Sequence, residues 1–466
     1  MEKVCLISPP YMDMTGPAGA IVPPLGLAYI AAYLRENNVQ VKIIDCTPLH
    51  LTIRNLADVI RKEDPTIIGI SSTTPLISKS IEIADMVKKA RPDVTVILGG
   101  PHATAQGKEI LTTSKSIDIV VVGEGELTML DLVNEFEKRN MNLENVTGII
   151  YKEQDKIYVN KPRPFIENLD ELPFPARDLL PMNKYKPSIK WYYRIPFTTM
   201  ITTRGCPFKC IFCDSHLTFG RRTRFRSVTN VVDEIEEVVA KWGVKELIFY
   251  DDTFTLNKKY VNEICELILK KDIDITWGCL ARVDTIDEKT LIKMKNAGCH
   301  LISYGIESGS EEMLRIIKKK ITLQQSEKAI ELTKKVGIES AATFILGIPG
   351  ETHETLQKTI DFAKKINPTY AEFFNAVPFP GTELYQNLRN ENKLTNFSWE
   401  NYTELYNAPL IELEGFTRKE LEHISKKAYR EFYLRYSKIF EYMSKMTSVH
   451  RLKGYFRAFK MFMRLT

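Results

Sequence analysis

The chain has 466 residues, 26% of them charged and 44% hydrophobic, with a formal net charge of +5 at pH 7. This length suits two or three domains with cores of their own, and the composition excludes a disordered or fibrous chain. No run of eighteen apolar residues could span a membrane, and the first residues lack the layout of a signal peptide. We therefore expect a protein of the reducing cytoplasm, and the mild net charge favours no particular partner.

Short apolar runs alternate with amphipathic helical segments through the first part of the chain. The runs, rich in Val and Ile and bounded by Gly, Pro or Ser, span residues 4–8, 41–45, 67–71, 94–99 and 117–122. Between them, apolar residues at helical spacing cover 25–36, 53–62, 78–90 and 126–139. Strand–helix alternation of this kind predicts an α/β fold with a doubly wound parallel sheet.

The carboxyl ends of these strands carry small and hydroxyl-bearing residues. Doubly wound sheets bind ligands at such ends, because small residues let the backbone approach a ligand and helix N-termini attract phosphate. One loop of this kind would be an ordinary turn, but four on one edge of a sheet favour a cofactor. The candidate cofactor-binding residues are Pro10, Ser72, Thr73, Gly99, Gly100, His102, Gly123, Glu124 and Gly125.

A proline-rich segment separates this sheet from a second strand–helix alternation. Prolines recur from Pro162 to Pro181 and prevent a long helix or central strand, so we interpret the segment as an extended strap. Beyond it, six predicted strands at 198–203, 246–250, 275–281, 300–305, 340–346 and 370–376 fit an open, partial (β/α)6 barrel. The predicted divisions are a Rossmann-like domain at 1–154, the strap at 155–195, the barrel at 196–410 and a helical region at 411–466.

Three cysteines, Cys206, Cys210 and Cys213, follow the first barrel strand with the spacing C-x-x-x-C-x-x-C. A thiolate triplet this tight can bind three irons of a cubane [4Fe–4S] cluster and leave the fourth iron open. A structural zinc site is the alternative, but it normally has four closed ligands, and no second cysteine pair follows at that spacing. An odd triplet in a reducing compartment does not favour a disulfide. The spacing therefore favours the cluster.

The loop, with Phe212 before its last cysteine, resembles the signature of the radical S-adenosylmethionine (SAM) enzymes. The resemblance implies that Cys206, Cys210 and Cys213 hold the cluster and that SAM chelates the open iron through its amino and carboxylate groups. One electron from the reduced cluster would then cleave SAM to a 5′-deoxyadenosyl radical. The resemblance also places Phe212 near the adenine and implies a one-electron reductant such as flavodoxin or ferredoxin.

Polar and small residues at the ends of the later barrel strands match further parts of that family. In barrels of this type the chemistry lies at the carboxyl ends of the strands. The guanidinium of Arg282 suits the SAM carboxylate, and the residues that end the fourth and fifth strands suit the ribose and the adenine or methionine moiety. The candidate SAM-binding residues are Phe212, Asp251, Arg282, Glu307, Ser308 and Gly347, with helix capping as the alternative for Asp251.

The first domain resembles the cobalamin-binding domain that precedes the radical SAM domain in one large class. Its residues 23–27, 99–102 and 122–126 carry the likeness. Many cobalamin proteins have Asp-x-His-x-x-Gly after the first strand, where the His binds cobalt, but residues 8–12 read Ser-Pro-Pro-Tyr-Met. The resemblance therefore implies cobalamin with no histidine on cobalt, and loss of the cofactor is the alternative. For His102 we expect a polar contact within its loop rather than a cobalt bond.

The resemblance implies a cobalamin-dependent radical SAM methyltransferase that acts on a small molecule. The 5′-deoxyadenosyl radical would abstract hydrogen from an unactivated carbon, which would then take a methyl group from methylcobalamin. No acid–base residue is obligatory for that transfer, so no catalytic side chain is assigned. A radical oxidative cyclase or rearrangement enzyme without net methylation, similar to the anaerobic porphyrin-ester cyclases, is the alternative in the same fold. A cobalamin- or cluster-based sensor is the non-enzymatic alternative.

The last part of the chain is basic. From Arg418 onward it has thirteen Lys and Arg against four Glu, and apolar residues recur at helical spacing between Leu452 and Met463. A basic amphipathic helix can lie in a membrane interface, which would make the protein peripheral at a membrane and its substrate apolar or lipid. The alternative is a terminal helix packed on the barrel with a solvated basic face. No nucleic-acid-binding module accompanies the charge, so no nucleic-acid partner is expected.

Overall fold

The Val- and Ile-rich runs of the N-terminal part form one sheet. The computed structural model describes residues 2–11, 20–191, 193–394, 398–403 and 409–444. The strands of this sheet are β1 (Lys3–Ser8), β2 (Gln40–Asp45), β3 (Ile67–Ser71), β4 (Thr95–Gly99), β5 (Ile119–Val121), β6 (Ile149–Glu153) and β7 (Lys156–Val159). They lie in the order β2-β1-β3-β4-β5-β6-β7, with β1 to β5 parallel and β6 and β7 antiparallel. The predicted doubly wound sheet is confirmed.

Helices cover both faces of this sheet. They are α1 (Leu25–Glu36), α2 (Ile53–Glu63), α3 (Ile77–Ala90), α4 (Pro101–Thr113) and α5 (Glu126–Phe136). Alternate residues of β1 face opposite sides: Val4 and Leu6 pack in the core with α1 and α5, whereas Cys5 and Ile7 pack with α2, α3 and α4. Because β1 is buried on both faces, its residues form a continuous apolar run rather than an alternating one.

Two features of this sheet go beyond the prediction from sequence. Helix α4 was not predicted, because it begins at Pro101 and contains Gly107, a residue of poor helix propensity. A Cβ at Gly107 would lie 2.8 Å from Cγ1 of Val120, so the glycine lets the helix approach β5 closely. The β6–β7 hairpin carries the sheet to Val159, beyond the predicted division at residue 154. Its strands mix charged with apolar residues and so gave no strand signal.

The strap ties the sheet to the barrel through buried polar contacts. The hydroxyl of Tyr185 donates to Asp45 at the end of β2, with an O–O distance of 2.8 Å. Arg177 is fully buried and pairs with Glu234 of the barrel at 2.6 Å. The middle of the strap therefore contacts both the first sheet and the barrel.

The second strand–helix alternation forms an open parallel barrel. Its strands are β8 (Phe197–Met200), β11 (Glu246–Phe249), β12 (Thr276–Ala281), β13 (Cys299–Glu307), β14 (Glu339–Leu346) and β15 (Tyr370–Asn375). Within the described residues they form a six-stranded sheet in the order β15-β14-β13-β12-β11-β8, all parallel. The strap ends inside this barrel, where a Cβ at Gly278 would lie 2.3 Å from Cζ3 of the buried Trp191. The predicted partial barrel is confirmed.

Short elements and outer helices complete the barrel. A two-stranded antiparallel pair, β9 (Thr203–Arg204) and β10 (Arg224–Phe225), brackets the cysteine loop. The helices are α6 (Ser215–Phe219), α7 (Val228–Trp242), α8 (Lys258–Lys270), α9 (Glu288–Asn296), α10 (Glu311–Ile316), α11 (Leu323–Lys335), α12 (His353–Ile366) and α13 (Glu383–Asn390).

Two C-terminal helices, α14 (Arg418–Tyr433) and α15 (Tyr436–Ser444), follow the barrel. The hydroxyl of Tyr433 donates to the backbone oxygen of Ala371 (2.8 Å) and accepts from its N–H (3.0 Å), and Tyr429 accepts from the N–H of Phe373. Side chains of α14 thus satisfy the open edge of β15. None of the described helices is long and apolar enough to cross a membrane. The predicted basic helix at 452–463 lies outside the described residues.

Candidate active site

Asp251 holds the base of the cysteine loop. Its Oδ1 accepts hydrogen bonds from the backbone N–H groups of Thr202 (2.9 Å) and Thr203 (2.5 Å) and from both hydroxyls (2.8 and 2.6 Å). The carboxyl is buried, and burial raises its pKa. The structure therefore gives Asp251 a role in positioning the loop that follows β8, and its predicted contact with a cofactor stays a prediction.

The three cysteines lie on one loop and carry free thiols. Cys206, Cys210 and Cys213 are half-buried, and burial raises the pKa of all three, that of Cys213 to about 12. The Sγ of Cys213 donates to Oγ of Ser215 at 3.4 Å. Because metal binding deprotonates a coordinating thiol, formation of a cluster on this loop would release the protons of these thiols.

No three His, Cys, Asp or Glu side chains among the described residues are placed to hold one metal ion. The binding of a cluster by Cys206, Cys210 and Cys213 therefore stays a prediction from their spacing.

Glu307 lies at the mouth of the barrel beside a lysine that the sequence did not reveal. Its Oε1 accepts from Nζ of Lys319 at 2.7 Å, and both side chains are buried. The strand register shifts between Gly305 and Glu307, and Glu307 adopts a left-handed backbone with φ of 71°. A Cβ at Gly305 would lie 2.4 Å from that Oε1, so the glycine makes room for the pair. Such a bulge re-aims a side chain at a strand end.

Arg282 contacts the cysteine loop directly. Its Nε and Nη2 donate to the carboxylate of Asp284, both at 2.9 Å, and Nη2 also donates to the backbone oxygen of Lys319 at 3.0 Å. The guanidinium lies 3.6 Å from the ring centroid of Phe208. In the sequence, Phe208 falls between Cys206 and Cys210. Because Asp284 already occupies this side of the guanidinium, contact with a SAM carboxylate stays a prediction.

The other predicted SAM-binding residues are engaged in loop structure. Ser308 is buried and its Oγ lies 3.1 Å from Oγ1 of Thr359. The N–H of Gly347 donates to Oε2 of Glu351 at 2.5 Å, and burial raises the pKa of Glu351 to about 8. Phe212 is half-buried against the barrel core. The structure brings all of them to the strand-end side of the barrel, and their contacts with SAM remain predictions.

A cavity of about 360 Å³ connects the first sheet to the cysteine loop. Its deep end is apolar and lies among strands β1, β3 and β4, where Leu6, Gly69 and Ile97 line it. Its outer end reaches Ser215 and Thr218 of α6. Of the predicted cofactor-binding residues, Gly99, Gly100, Gly123, Glu124 and Gly125 line this cavity. One cavity thus extends between the two strand-end surfaces.

Gly100 shows why a small residue is needed at this edge. It has a φ of +96°, and a Cβ there would lie 2.7 Å from the backbone oxygen of Ser72. Any side chain would therefore force the loops after β3 and β4 apart. The loops stay close enough to form one wall of the cavity.

Four predicted cofactor-binding residues, Pro10, Ser72, Thr73 and His102, are not among the residues that line the cavity. The Nδ1 of His102 lies 3.2 Å from Oγ1 of Thr74, and its ring meets Trp399 edge-on with centroids 5.0 Å apart. Burial lowers its pKa to about 4, so the imidazole is neutral. The contact joins the segment that follows β4 to the turn that follows β3, and Trp399 packs against the imidazole ring.

Buried ion pairs join the first sheet to the cysteine loop. Nη1 of Arg204 contacts Glu124 at 2.8 Å, and its Nη2 contacts Glu126 at 2.6 Å. Nη1 of Arg224 contacts Glu124 at 3.0 Å and also donates to the backbone oxygen of Ile166 at 2.6 Å. All four charged side chains are about 95% buried or more. The glutamates that line the cavity therefore also bind the residue two positions before Cys206.

Two family models match the two halves of this site. The radical SAM superfamily matches residues 200–363, and the B12 binding domain matches residues 12–133. An uncharacterized methyltransferase of Pyrococcus horikoshii is 42% identical over 434 residues, which is 93% of each chain. The anaerobic magnesium-protoporphyrin IX monomethyl ester cyclase of Rubrivivax gelatinosus is 32% identical over 93% of this chain and 77% of its own.

This chain belongs to the radical SAM enzymes with a B12-binding domain. The fold agrees with that of the radical SAM methyltransferase TsrM of Kitasatospora setae, solved with cobalamin and a [4Fe–4S] cluster bound. That structure superposes with a TM-score of 0.71 at 18% identity and covers 85% of this chain and 76% of its own. The predicted family and fold class are confirmed.

The residues present fit the cofactors of this radical SAM family, which are a [4Fe–4S] cluster, SAM and cobalamin. Three free thiols on one loop suit the cluster. The cavity has an apolar part between the strands and a rim lined by glycines. This shape suits a large cofactor that inserts one substituent between the strands. None of the described residues that line the cavity is a histidine.

Sequence reasoning missed the residues that hold the parts of the site together. Lys319 belongs to the run Lys318-Lys319-Lys320, which has the pattern of a solvated charge cluster. Arg204 lies two residues before Cys206, and the spacing of the cysteines gives no sign of its partners. The available signal was charge complementarity: between residues 204 and 227 there is a single acid, Asp214, whereas Glu124 and Glu126 are two acids in one short loop.

Proposed function

We propose that this chain is a cobalamin-dependent radical SAM methyltransferase that methylates an unactivated carbon of a small molecule. The observation that carries the proposal is the cavity that runs from the B12-binding sheet to the cysteine loop. Transfer of a methyl group between two cofactors and one substrate requires them to share an enclosed space. A sensor would not need that connection.

The residues of this chain place and shield the reacting groups. When bound, SAM at the cluster supplies a carbon-centred radical and cobalamin supplies a methyl group, so the protein has to orient them and exclude water. The pairs of Arg204 with Glu124 and Glu126 fix the cysteine loop over the sheet. Glu307, held by Lys319, faces the barrel mouth as a charged acceptor suited to ribose hydroxyls. No acid–base step is assigned to them.

The test uses SAM labelled in its methyl group. Anaerobically purified protein is loaded with iron, sulfide and cobalamin, and then incubated with labelled SAM, a reductant and a small-molecule extract of the source cells. We expect 5′-deoxyadenosine together with one extract component that carries the labelled methyl on carbon. Iron and cobalt content are measured on the same sample.

The control is the chain with Cys206, Cys210 and Cys213 all changed to Ala. We expect it to keep its circular dichroism spectrum and to lose both the cluster and the two products. Retention of stoichiometric iron and of deoxyadenosine formation in this variant would show that the cluster site is assigned wrongly.

A radical oxidative cyclase is the second candidate, supported by 32% identity to a magnesium-protoporphyrin IX monomethyl ester cyclase over most of both chains. The two activities differ in what SAM becomes. Methyl transfer consumes one SAM as methyl donor and one as radical source for each product. A cyclase forms deoxyadenosine with no labelled methyl in the product, so the ratio of the two products distinguishes them.

We further propose that the C-terminal region brings the enzyme to a membrane surface and to an apolar or lipid substrate. Support comes from α15, where Tyr436, Phe440 and Met443 are 83%, 68% and 59% exposed. Exposed apolar side chains on a helix suit an interface more than water. The basic segment 451–464 follows α15 directly in the sequence and would add attraction to anionic lipids.

A further inference from the structure

The deep end of the cavity is lined by aliphatic side chains. Leu6 and Ile97 line it from strands β1 and β4, and Met129 lines it from helix α5. These three residues pack in one buried core, on the face of the first sheet that α1 and α5 cover. The cavity therefore begins at the strand ends and finishes among apolar groups.

Gly69 gives the deep end its width. It lies inside the interior strand β3, where a glycine weakens the sheet and often marks the close approach of another group. A Cβ at this position would lie 2.8 Å from Cδ2 of Leu6 and 3.7 Å from Cε of Met129. Any larger residue here would therefore fill the space that these two side chains border.

Polar side chains line only the outer part of the cavity. Ser71 ends β3, and Glu124 and Glu126, which follow β5, are both paired with Arg204. Strands β1, β3 and β4 each pair with a neighbouring strand on both sides, so their backbone donors and acceptors are used within the sheet. Among the described residues, the deep end therefore offers a ligand no hydroxyl, amide or charged group.

Cobalamin is one of the cobamides, which share a corrin ring and differ in the lower base at the end of a nucleotide arm. The base of cobalamin is dimethylbenzimidazole, whose outer edge carries methyl groups. Other cobamides carry adenine, whose outer edge has an amino group and ring nitrogens. Entry of adenine into an apolar space would remove water from these groups and return no hydrogen bond, which is unfavourable.

We propose that the deep end of the cavity selects among cobamides by their lower base, and that it takes dimethylbenzimidazole in preference to adenine. This inference rests on the proposed function, because it requires that the chain bind a cobamide. Met129 determines the preference most directly, since the end of its side chain lies against Gly69 and borders the space that the base would fill. A base held there is not bound to cobalt.

The experiment measures by calorimetry how tightly the full chain binds cobalamin, its adenine analogue and cobinamide, which lacks the base. The variant is Met129→Gln, which places an amide of similar size beside Gly69. The matched control is Met86→Gln, the same substitution on α3, where Met86 packs against the core on the opposite face of the sheet. The tendency of each free corrinoid to keep its base on cobalt cancels in the ratio of variant to wild-type affinity.

We expect Met129→Gln to lower the affinity for cobalamin about ten- to a hundredfold, because the buried amide would face methyl groups without a partner. Its affinity for cobinamide should not change, and that for the adenine analogue should not fall. The control should bind all of them as wild type does. Wild type should prefer cobalamin to the adenine analogue, and electron paramagnetic resonance of bound cob(II)alamin should show no nitrogen splitting from its own base.

An equal loss of affinity for all the corrinoids in Met129→Gln would give Met129 a structural role only and would overturn the proposal. So would wild-type binding of the adenine analogue that is as tight as that of cobalamin, or nitrogen splitting in bound cob(II)alamin. These two wild-type measurements decide the proposal even where the variant does not fold. If wild type binds no corrinoid at all, the cobalamin part of the proposed function is wrong, whereas binding that ignores the base contradicts the selection alone.

Discussion

Glu307 combines burial, a left-handed backbone and a single lysine partner. A non-glycine residue with this backbone conformation raises the free energy of the folded state by about 1–3 kcal/mol. Such strain persists mainly where the geometry serves a function. Nζ of Lys319 lies 2.7 Å from Oε1 of Glu307 and fixes the position of this side chain at the barrel mouth. An acceptor held in place there suits hydroxyl groups of a bound nucleoside.

Changing Glu307 to Gln should weaken SAM binding about ten- to a hundredfold, because loss of a hydrogen bond to a charged group costs about 1.5–3 kcal/mol. Iron content should not change, since Glu307 is not a cluster ligand. Equilibrium binding of SAM and iron analysis measure the two effects. Glu312→Gln, an exposed position on α10, is the control. Wild-type SAM affinity in Glu307→Gln would remove Glu307 from the SAM site.

Asp45 is a second buried carboxyl with a structural partner. Burial raises its pKa to about 6, although the hydroxyl of Tyr185 donates to it. A carboxyl whose pKa is higher in the folded than in the unfolded state favours folding in its neutral form. The folded protein therefore loses stability as pH rises from about 4 to about 6, and the loss is complete above that range.

Asp45→Asn should remove this pH dependence, because the amide keeps an acceptor for Tyr185 and does not titrate. We expect the free energy of unfolding of the variant, relative to wild type, to rise between pH 4 and pH 6 by on the order of 3 kcal/mol. Urea unfolding of the apoprotein at several pH values measures the difference. A difference independent of pH would show that Asp45 titrates normally in the folded protein.

At the scale of elements, Arg204 connects the short strand β9 to the loop before α5. Its guanidinium bridges Glu124 and Glu126 and lies about 5 Å from the rings of Tyr29 and Phe219. The cysteine loop and the loop that lines the cavity thus share one buried residue. Loss of this residue should affect both cofactors.

Arg204→Met should destabilise the protein by about 3–5 kcal/mol, since it leaves buried carboxylates short of a partner. Iron and cobalamin content should fall together. Adding Glu126→Gln should recover part of the stability, because Glu124 still has Arg224 and only the unpaired charge is removed. Denaturant unfolding and visible absorbance of both cofactors provide the measurements. Additive losses in the double variant would mean that the two residues do not interact.

The elements themselves were predictable to a useful degree. Buried parallel strands form unbroken Val- and Ile-rich runs, so the predicted strand at 67–71 coincides with β3 and that at 246–250 nearly with β11. Helix α4 was missed because its proline and glycine serve close packing rather than helix propensity. The β6–β7 hairpin was missed because both strands carry charged residues, which are tolerated in β7, the edge strand of the sheet.

The sequence was enough to predict the class of site and the strand ends that form it, but not the contacts between its side chains. Residues at strand ends were correctly placed at two edges, since topology alone brings them there. What each side chain touches depends on pairs far apart in sequence, such as Arg204 with Glu124. The sequence therefore predicts cofactor contacts for Glu124, Asp251 and Ser308, whereas the structure shows their contacts with neighbouring loops and helices.

Helix α14 covers the open edge of the barrel at β15. Leu421, Ala428 and Phe432 are buried in the barrel core, and two tyrosine hydroxyls satisfy the backbone of β15. A chain that ends at Phe416 would expose this edge, and an unpaired apolar edge strand promotes aggregation. A chain that ends at Met446 keeps α14 and α15. The two truncations therefore separate the part needed for folding from the basic tail beyond it.

We expect the chain ending at Met446 to unfold at the same denaturant concentration as the full chain and to cleave SAM at the same rate. Its binding to anionic liposomes should fall, because it lacks the five basic residues from Arg451 to Arg464, each contributing about 1 kcal/mol near an anionic surface. Co-sedimentation with anionic and with neutral liposomes measures this difference. Equal partitioning of the two chains, or loss of folding on truncation, would make the tail part of the packed structure and would remove the argument for a lipid substrate.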